Sequence, residues 1–163
     1  MIRDLAISDI ENITIIYIES SISAYSSVID KKLLEKHLQF ESIFKYFTNN
    51  LTMKGEKIFV YEQDGNIAGF MELLKNGKLL EIKKIYVSSK YYRHGIGSNL
   101  IEYAQKISYL ENIQLISLWV LEKNMIGRRF YEKRGFFTTG IVKNLERYNS
   151  NQVEYRKLLK DRS

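Results

Sequence analysis

The stretch of residues 81–103 constrains the fold most, because it predicts a strand, a loop and a helix in direct succession. The strand is indicated by the β-branched residues Ile82, Ile85 and Val87. Residues 88–94, which follow it, show no apolar periodicity. The helix is indicated by apolar residues at helical spacing: Ile96, Leu100, Ile101, Ala104 and Ile107. Gly95 and Gly97 fall where this helix begins. Because a helix N-terminus carries unpaired N–H groups and glycine allows close approach, the pattern predicts a cradle for a diphosphate.

The glycine pair by itself does not specify its ligand. A Gly-x-Gly at a strand-to-helix turn is often only tight-turn chemistry. A dinucleotide-binding fold requires a third glycine where this chain has Leu100, although Glu122 ends the next strand near the place of a ribose-binding acid. The Gly-x-x-x-x-Gly-Lys-Ser/Thr phosphate loop occurs nowhere. The basic residues of this region favour a polyanionic ligand: Lys83, Lys84, Lys90, Arg93 and His94.

Length and composition predict a single domain over residues 1–163. Hydrophobic residues at 45% and charged residues at 27% are ordinary globular values. Asp4, Asp9 and Glu11 interrupt the start of the chain, so no signal peptide is predicted, and no apolar run is long enough for a membrane helix. We therefore expect a soluble, cytoplasmic protein without a membrane partner.

The chain contains no cysteine, which excludes disulfides, thiolate metal sites and cysteine nucleophiles. With only His37 and His94, we expect no metal site. His37 lies beside the apolar face of a predicted helix and is interpreted as a packing residue. The net charge of +6 suits a lysine-rich, soluble surface or an anionic cofactor. A nucleic-acid partner is disfavoured, because there is no long basic run and no groove-reading motif.

The order of predicted elements is that of a mixed α/β domain with an antiparallel first half. An edge strand at residues 1–6 precedes a helix capped by Ser8 or Asp9, and a second helix runs from about Lys31 to Phe47. Three antiparallel strands follow, joined by Asp64-Gly65 and Asn76-Gly77: residues 58–62, 67–74 and 79–87. After the central helix, a strand at residues 113–121 is expected to run parallel to the third strand.

The last third of the chain predicts a short helix and two strands. Asn124 is the expected cap of a helix over residues 125–134, and Gly135 is its stop. The strands are expected at residues 136–142 and 153–159, with a polar loop over residues 144–151 between them.

Two segments together resemble the GCN5-related N-acetyltransferase (GNAT) superfamily. The first is Arg93-His94-Gly95-Ile96-Gly97-Ser98, and the second runs from Trp119 through Asn124 and Phe130-Tyr131 to Gly135-Phe136. The family's glycine motif is Gln/Arg-x-x-Gly-x-Gly/Ala, and here Tyr92 stands at its first position with the arginine one residue later. The second motif, Asn-x-x-Ala-x-x-Phe-Tyr, is matched with Gly127 at the small-residue position.

The resemblance implies a GNAT acyl-CoA N-acyltransferase fold. Its expected form is a twisted, mostly antiparallel sheet of about seven strands with one parallel, splayed pair, flanked by about four helices. The implied cosubstrate is acetyl-CoA, lying between the parallel strands, without a metal. The residues that would bind it are Ile85, Tyr86, Val87, Tyr92, Arg93, His94, Gly95, Ile96, Gly97, Ser98, Asn124, Arg128 and Tyr131. The main chain around Tyr86 and Val87 would pair with the pantetheine arm, and an N–H there would polarise the thioester carbonyl.

The resemblance also implies two catalytic residues. Glu81 occupies the place of a general base that deprotonates the amine directly or through water, and Tyr131 that of a general acid for the departing thiolate. An exposed charge and a core tyrosine are the alternative interpretations of these two positions. His94 lies within the predicted phosphate loop and is not assigned to chemistry.

The predicted function is acetyl transfer from acetyl-CoA to a primary amine, directly and within a ternary complex. A small-molecule amine such as a polyamine is slightly favoured, and a protein N-terminus or lysine is the alternative. A non-catalytic CoA-binding sensor domain is a second class, and a nucleic-acid-binding protein a third. Many relatives pair through sheet edges, so the resemblance also suggests a homodimer.

Overall fold

A computed structural model describes residues 1–160, which form one seven-stranded sheet and five α-helices. The strands are β1 (Ile2–Asp4), β2 (Glu56–Gln63), β3 (Asn66–Asn76), β4 (Leu79–Val87), β5 (Leu115–Leu121), β6 (Phe137–Leu145) and β7 (Ser150–Leu158). The helices are α1 (Ile10–Tyr25), α2 (Lys31–His37), α3 (Phe40–Asn50), α4 (Ile96–Leu110) and α5 (Met125–Glu132). Residues 161–163 of the predicted domain lie outside the described residues.

The sheet order is β1-β2-β3-β4-β5-β7-β6. Within residues 1–160, neighbouring strands are antiparallel except β4 and β5, which are parallel. The helix α4 connects this parallel pair, as the strand, helix, strand order predicted. The mixed sheet with one parallel pair confirms the predicted fold class.

The two predicted hairpin turns place β4 as expected. Asp64 and Gly65 have φ values of 52° and 77°, and Gly77 has a φ of 59°. The left-handed pair Asp64-Gly65 suits a two-residue hairpin turn. In the second hairpin Asn76 pairs with Leu79, so the two turn residues are Gly77, which is left-handed, and Lys78. The strand β4 covers the predicted residues 79–87, so the glycine turn follows it directly.

The helices number five because the predicted second helix is divided. The backbone leaves the helical conformation at Leu38 (φ −108°, ψ 45°) and is extended at Gln39 (φ −80°, ψ 129°). Leu38 is buried on the sheet, so the break lets α2 and α3 each pack an apolar face. The periodicity continues across this break, and no glycine or proline marks it.

The predicted polar loop of residues 144–151 is shorter in the structure. The strand β6 continues to Leu145, a single 3₁₀ turn covers Glu146–Tyr148, and β7 begins at Ser150. Asn149 supplies the reversal with a φ of 45°. Tyr148 is buried in this turn and contacts His37, whose ring centroid lies 5.9 Å away.

The sheet separates two apolar cores. Phe59 belongs to the core under α4, whereas Val60, the next residue of β2, belongs to the core under α1, α2 and α3. Because successive side chains of a strand point to opposite faces, the two cores lie on opposite sides of the sheet. The edge strand β6 is exposed along most of its length. None of the helices in residues 1–160 has the length and apolar character needed to cross a membrane.

Candidate active site

The parallel strands β4 and β5 pair over only part of their length. Their pairing ends at Ile82 and Leu118. Lys83, the next residue of β4, is skipped in the register with β3 and forms a bulge. A bulge bends its strand, and residues 83–87 and 119–121 continue without pairing to each other. A wedge-shaped cleft therefore opens between the two strands, as expected for a splayed pair, and backbone polar groups line it.

The loop at the open end of this cleft has the geometry of an anion cradle. Arg93 and Gly95 adopt left-handed conformations with φ values of 66° and 76°, and α4 begins directly after them. The first N–H groups of a helix lack intrahelical acceptors, and no side chain of the described residues caps those of α4. A Cβ atom at Gly95 would meet no atom within 4 Å. The space in front of the helix is therefore open to a ligand.

Gly97 has a packing role in addition to its predicted place in the cradle. A Cβ atom at Gly97 would lie 3.1 Å from Cζ of Phe130, so this glycine lets the first turn of α4 approach α5. Ile96 is buried and anchors the same turn. The other predicted loop residues are exposed and face solvent: Tyr92, Arg93 and His94.

Asn124 caps α5 as predicted. Its Oδ1 accepts a hydrogen bond of 3.0 Å from the N–H of Gly127. A Cβ atom at Gly127 would lie 2.7 Å from Nδ2 of Asn124, so a side chain at this position would require the Asn124 amide to shift. Arg128 is held by the protein, because Nε donates to the Tyr155 hydroxyl at 3.0 Å and Nη1 to the Glu122 carbonyl at 2.9 Å.

Tyr131 lies among aromatic rings on the inner face of α5. Its ring packs edge-on against Phe130 and Phe136, with centroid distances of 5.2 and 5.8 Å. Burial raises the pKa of Tyr131, and the nearby Tyr86 of β4 raises it further. The phenol therefore stays protonated, and it lies on the side of the cleft that β4 forms.

The last residues of β4 alternate between the two cores. Ile85 and Val87 pack on the core under α4, whereas Tyr86 stacks on Phe70 on the opposite face. The Tyr86 hydroxyl lies 3.2 Å from the hydroxyl of Tyr25, at the end of α1. The main chain of these residues does not pair with β5, and the Val87 carbonyl accepts a hydrogen bond of 3.0 Å from the Ser20 hydroxyl of α1.

Glu81 lies at the closed end of the cleft. It is in the paired part of β4, opposite Ser117, and precedes the bulge by two residues. Its side chain is half-buried, and within residues 1–160 no hydrogen bond or ion pair holds it. Glu81 lies in β4 and Tyr131 in α5, and within residues 1–160 no hydrogen bond joins the two side chains.

A buried carboxylate that the sequence pattern did not predict lies beside the bulge. Glu72 of β3 is fully buried and accepts hydrogen bonds from Tyr46 at 3.0 Å and Asn50 at 2.7 Å. Nζ of Lys84 lies 3.0 Å from its carboxylate. Burial would raise the pKa of Glu72, but Lys84, the Asn50 hydrogen bond and Lys83 outweigh it and hold this pKa below its usual range.

The same cluster corrects the prediction that Lys83 and Lys84 attract a polyanion. Lys83 is 2.6 Å from Glu56 and Lys84 is 3.0 Å from Glu72, so both ammonium groups serve ion pairs of the α1–α3 face. A signal was present in the sequence, because Glu72 interrupts an apolar strand. Its partners lie far away along the chain, which hid the pairing.

The residues present fit coenzyme A. An open helix N-terminus suits its diphosphate, and the part of β4 that does not pair with β5 offers main-chain groups to the amides of its pantetheine arm. The exposed Arg93 and Lys90 add positive charge beside the cradle. Within the described part of the chain, no group of three His, Asp or Glu side chains is placed to hold a metal ion.

Comparisons with known proteins agree with this geometry. The profile of the Acetyltransferase (GNAT) family matches residues 23–136. A spermidine N(1)-acetyltransferase of Thermoplasma acidophilum is 25% identical over 139 residues, covering 83% of this chain and 86% of that protein. The peptidyl-lysine N-acetyltransferase YiaC of Escherichia coli is 32% identical over 78 residues, or 48% of each chain.

A solved structure shares the whole fold. The PaiA N-acetyltransferase of Thermoplasma acidophilum, crystallised in complex with coenzyme A, superposes with a TM-score of 0.78 at 23% identity, and the match covers 98% of both chains. The family profile covers well over half of this sequence. The chain therefore belongs to the acetyltransferase (GNAT) family.

Proposed function

We propose that this chain transfers an acetyl group from acetyl-CoA to a primary amine, directly and within a ternary complex. The observation that carries the proposal is the cleft between β4 and β5, which leads into an open helix N-terminus at Gly95. A diphosphate at that terminus would direct an extended pantetheine arm along β4 toward the bulge. The bound cosubstrate supplies the activated acetyl group.

The residues of this chain divide the work between binding and chemistry. The loop of residues 93–98 would hold the diphosphate, and the main chain of residues 85–87 would pair with the arm. Asn124 caps α5 and thereby fixes the position of Tyr131. Arg128, also predicted to bind the cofactor, donates a hydrogen bond to the Tyr155 hydroxyl and would thereby hold α5 on β7 as well. Tyr131 would donate a hydrogen bond to the sulfur as it leaves.

Glu81 is the proposed base for the amine. An amine with a pKa near 10.4 is almost wholly charged at pH 7, and deprotonating it costs about 4 to 5 kcal/mol. The free, half-buried carboxylate of Glu81 lies where the cleft closes, so a water between it and the amine would carry the proton. The exposed-charge interpretation of Glu81 predicts no such role.

The variant Glu81→Gln separates these interpretations. We expect turnover at pH 7 to fall by about 100-fold, the lower end of the range for a general base. The loss should shrink as pH rises toward the amine pKa, because the amine then deprotonates without help. Initial rates from pH 6 to 10 measure this, and Glu111→Gln, a surface carboxylate paired with Lys75, is the control. A loss of turnover that stays constant from pH 6 to 10 would contradict the role of Glu81 as a general base.

For the acceptor, we propose a small polyamine-like amine. The similarity to a spermidine acetyltransferase over most of both chains supports this class. Glu19 in α1 and Glu146 in the β6–β7 turn are exposed carboxylates, and we propose them as contacts for a cationic acceptor. A protein amine is the second candidate, supported by the 32% identity to a peptidyl-lysine acetyltransferase.

Release of free thiol from acetyl-CoA across a panel of amines tests the function. We expect release with spermidine or a related polyamine, and mass spectrometry should detect the acetylated amine. Release with lysine peptides or N-terminal peptides alone would move the acceptor to the protein class. Binding of acetyl-CoA with no thiol release for any amine would favour the sensor interpretation and contradict the transferase.

Three further expectations stay proposals. We propose that residues 1–163 form one domain and that the protein acts in the cytoplasm. The homodimer also stays a prediction. The edge strand β6 is the edge through which two copies would pair, because Phe137, Ile141 and Val142 are all about half exposed there.

A further inference from the structure

The guanidinium of Arg134, just after α5, reaches the first turn of α4. Its Nη2 donates a hydrogen bond to Oγ of Ser98, and its Nη1 donates to the Phe130 carbonyl at 2.7 Å. Its Cζ lies 3.6 Å from the centroid of the Phe130 ring, which itself packs on Gly97. The guanidinium is thus stacked in place against the turn that opens the cradle.

Among the ion pairs of residues 1–160, none involves Arg134. Its Nε is buried and, within the same residues, has no hydrogen-bond partner. A half-buried guanidinium without a carboxylate is costly unless an anion comes close to it. Its neutral partners, a hydroxyl and a carbonyl, orient it without cancelling its charge.

The hydrogen bond from Arg134 also sets the role of the Ser98 hydroxyl as a donor. Because Oγ of Ser98 accepts from Arg134, its own proton is free to be donated outward. A cation on the oxygen polarises that O–H and strengthens the hydrogen bond it gives. The hydroxyl belongs to the same helical turn whose N–H groups lack a side-chain acceptor, so both kinds of donor lie in the first turn of α4.

We propose that Arg134 and Ser98 form a charged pair that binds the diphosphate of coenzyme A, with Arg134 as the half-buried cation of that site. The proposal rests on the proposed use of acetyl-CoA. It assigns to this chain a phosphate contact from the end of α5, in addition to the loop of residues 93–98. Exposed cations such as Arg93 would then contribute less, because solvent screens them.

Calorimetric titration of CoA and of 3′-dephospho-CoA into matched variants tests the pair. We expect Arg134→Met to weaken binding of both ligands by the same factor, on the order of 10- to 100-fold, as for loss of a charged hydrogen bond. Arg134→Lys should recover part of the affinity because it keeps the charge. Arg129→Met removes an exposed cation from α5, close in sequence to Arg134, and the affinity of this variant should stay within about twofold of the parent, as expected for a surface charge.

If Arg134→Met does not fold, Ser98→Ala still tests the proposal. This variant should also weaken the binding of CoA and of 3′-dephospho-CoA by the same factor. The inference is wrong if Arg134→Met or Ser98→Ala binds CoA as the parent does. It is also wrong if the loss is confined to CoA, because the contact would then be to the 3′-phosphate, or if Arg129→Met loses as much. Failure of the parent protein to bind CoA at all would instead contradict the proposed function.

Discussion

Replacing Tyr131 with phenylalanine should lower the turnover of acetyl transfer by about 100- to 1,000-fold, the usual cost of removing one donor that stabilises a developing negative charge. The phenol is the group of α5 that lies by the cleft, and burial together with Tyr86 raises its pKa. Its proton is therefore bound more tightly than that of a thiol with a pKa near 8.5. It would stabilise the departing thiolate by a hydrogen bond, without ionising itself.

The pH profile of the parent enzyme checks this assignment. A raised pKa means that Tyr131 stays protonated below it, so its ionisation should cause no loss of turnover up to about pH 10, the ordinary tyrosine value. Tyr103→Phe is the matched control, because the Tyr103 ring of α4 packs on Phe59 of β2. Binding of acetyl-CoA should change little in Tyr131→Phe. Equal turnover in the two tyrosine variants would remove Tyr131 from the chemistry.

Replacing Glu72 with glutamine should lower the free energy of unfolding by about 3 to 5 kcal/mol at pH 7, as when one partner of a buried ion pair is lost. The carboxylate is fully buried, and Lys84 and Lys83 lie 3.0 and 3.8 Å from it. A neutral amide would leave the half-buried Lys84 without its compensating charge. Urea denaturation at pH 7 measures the difference.

The sign of the pH dependence follows from the direction of the Glu72 shift. Its pKa is held below the usual range in the folded protein, so its stabilising effect is present above the unfolded value, near pH 4.3. The effect is lost as pH falls through the lower folded value. The difference in the free energy of unfolding between the parent and Glu72→Gln should therefore narrow below about pH 4.

The control, Glu111→Gln, should cost less than about 1 kcal/mol, because the ion pair of Glu111 with Lys75 is partly exposed. A similar cost for both variants would contradict a structural role for Glu72.

Local signals in the sequence were sufficient for the elements around the site. Asp64-Gly65 and Asn76-Gly77 predicted two turns that require left-handed backbone, and the structure has them there. They fixed the position of β4, and β4 fixed where the cradle begins. Asn124 was likewise identifiable as a cap from its place before an apolar periodic segment.

Features that depend on distant residues were not readable in this way. The bulge at Lys83 arises from the pairing of β4 with β3. The local sequence shows only two consecutive lysines, which do not predict a bulge. Those lysines suggested a basic patch, whereas their carboxylate partners lie on β2 and β3. The break between α2 and α3 has the same origin, because packing of Leu38 overrides an unbroken helical periodicity.

The site itself was predictable through the resemblance more than through periodicity. Spacing alone placed glycines at a helix start and left Tyr131 as a core tyrosine. The structure adds the splayed strands that join these positions into one cleft. It also adds Arg134, to which the sequence analysis assigned no role. Its contact with Ser98 crosses between two helices.

Titration of acetyl-CoA into the purified protein, followed by calorimetry, tests most directly whether the cleft is an acetyl-CoA site. We predict one saturable site per chain, with competition by CoA and an upward shift of the unfolding temperature that grows with ligand concentration. The absence of both heat and a thermal shift at millimolar acetyl-CoA would contradict this assignment, since the cleft and the open helix N-terminus would then serve another ligand.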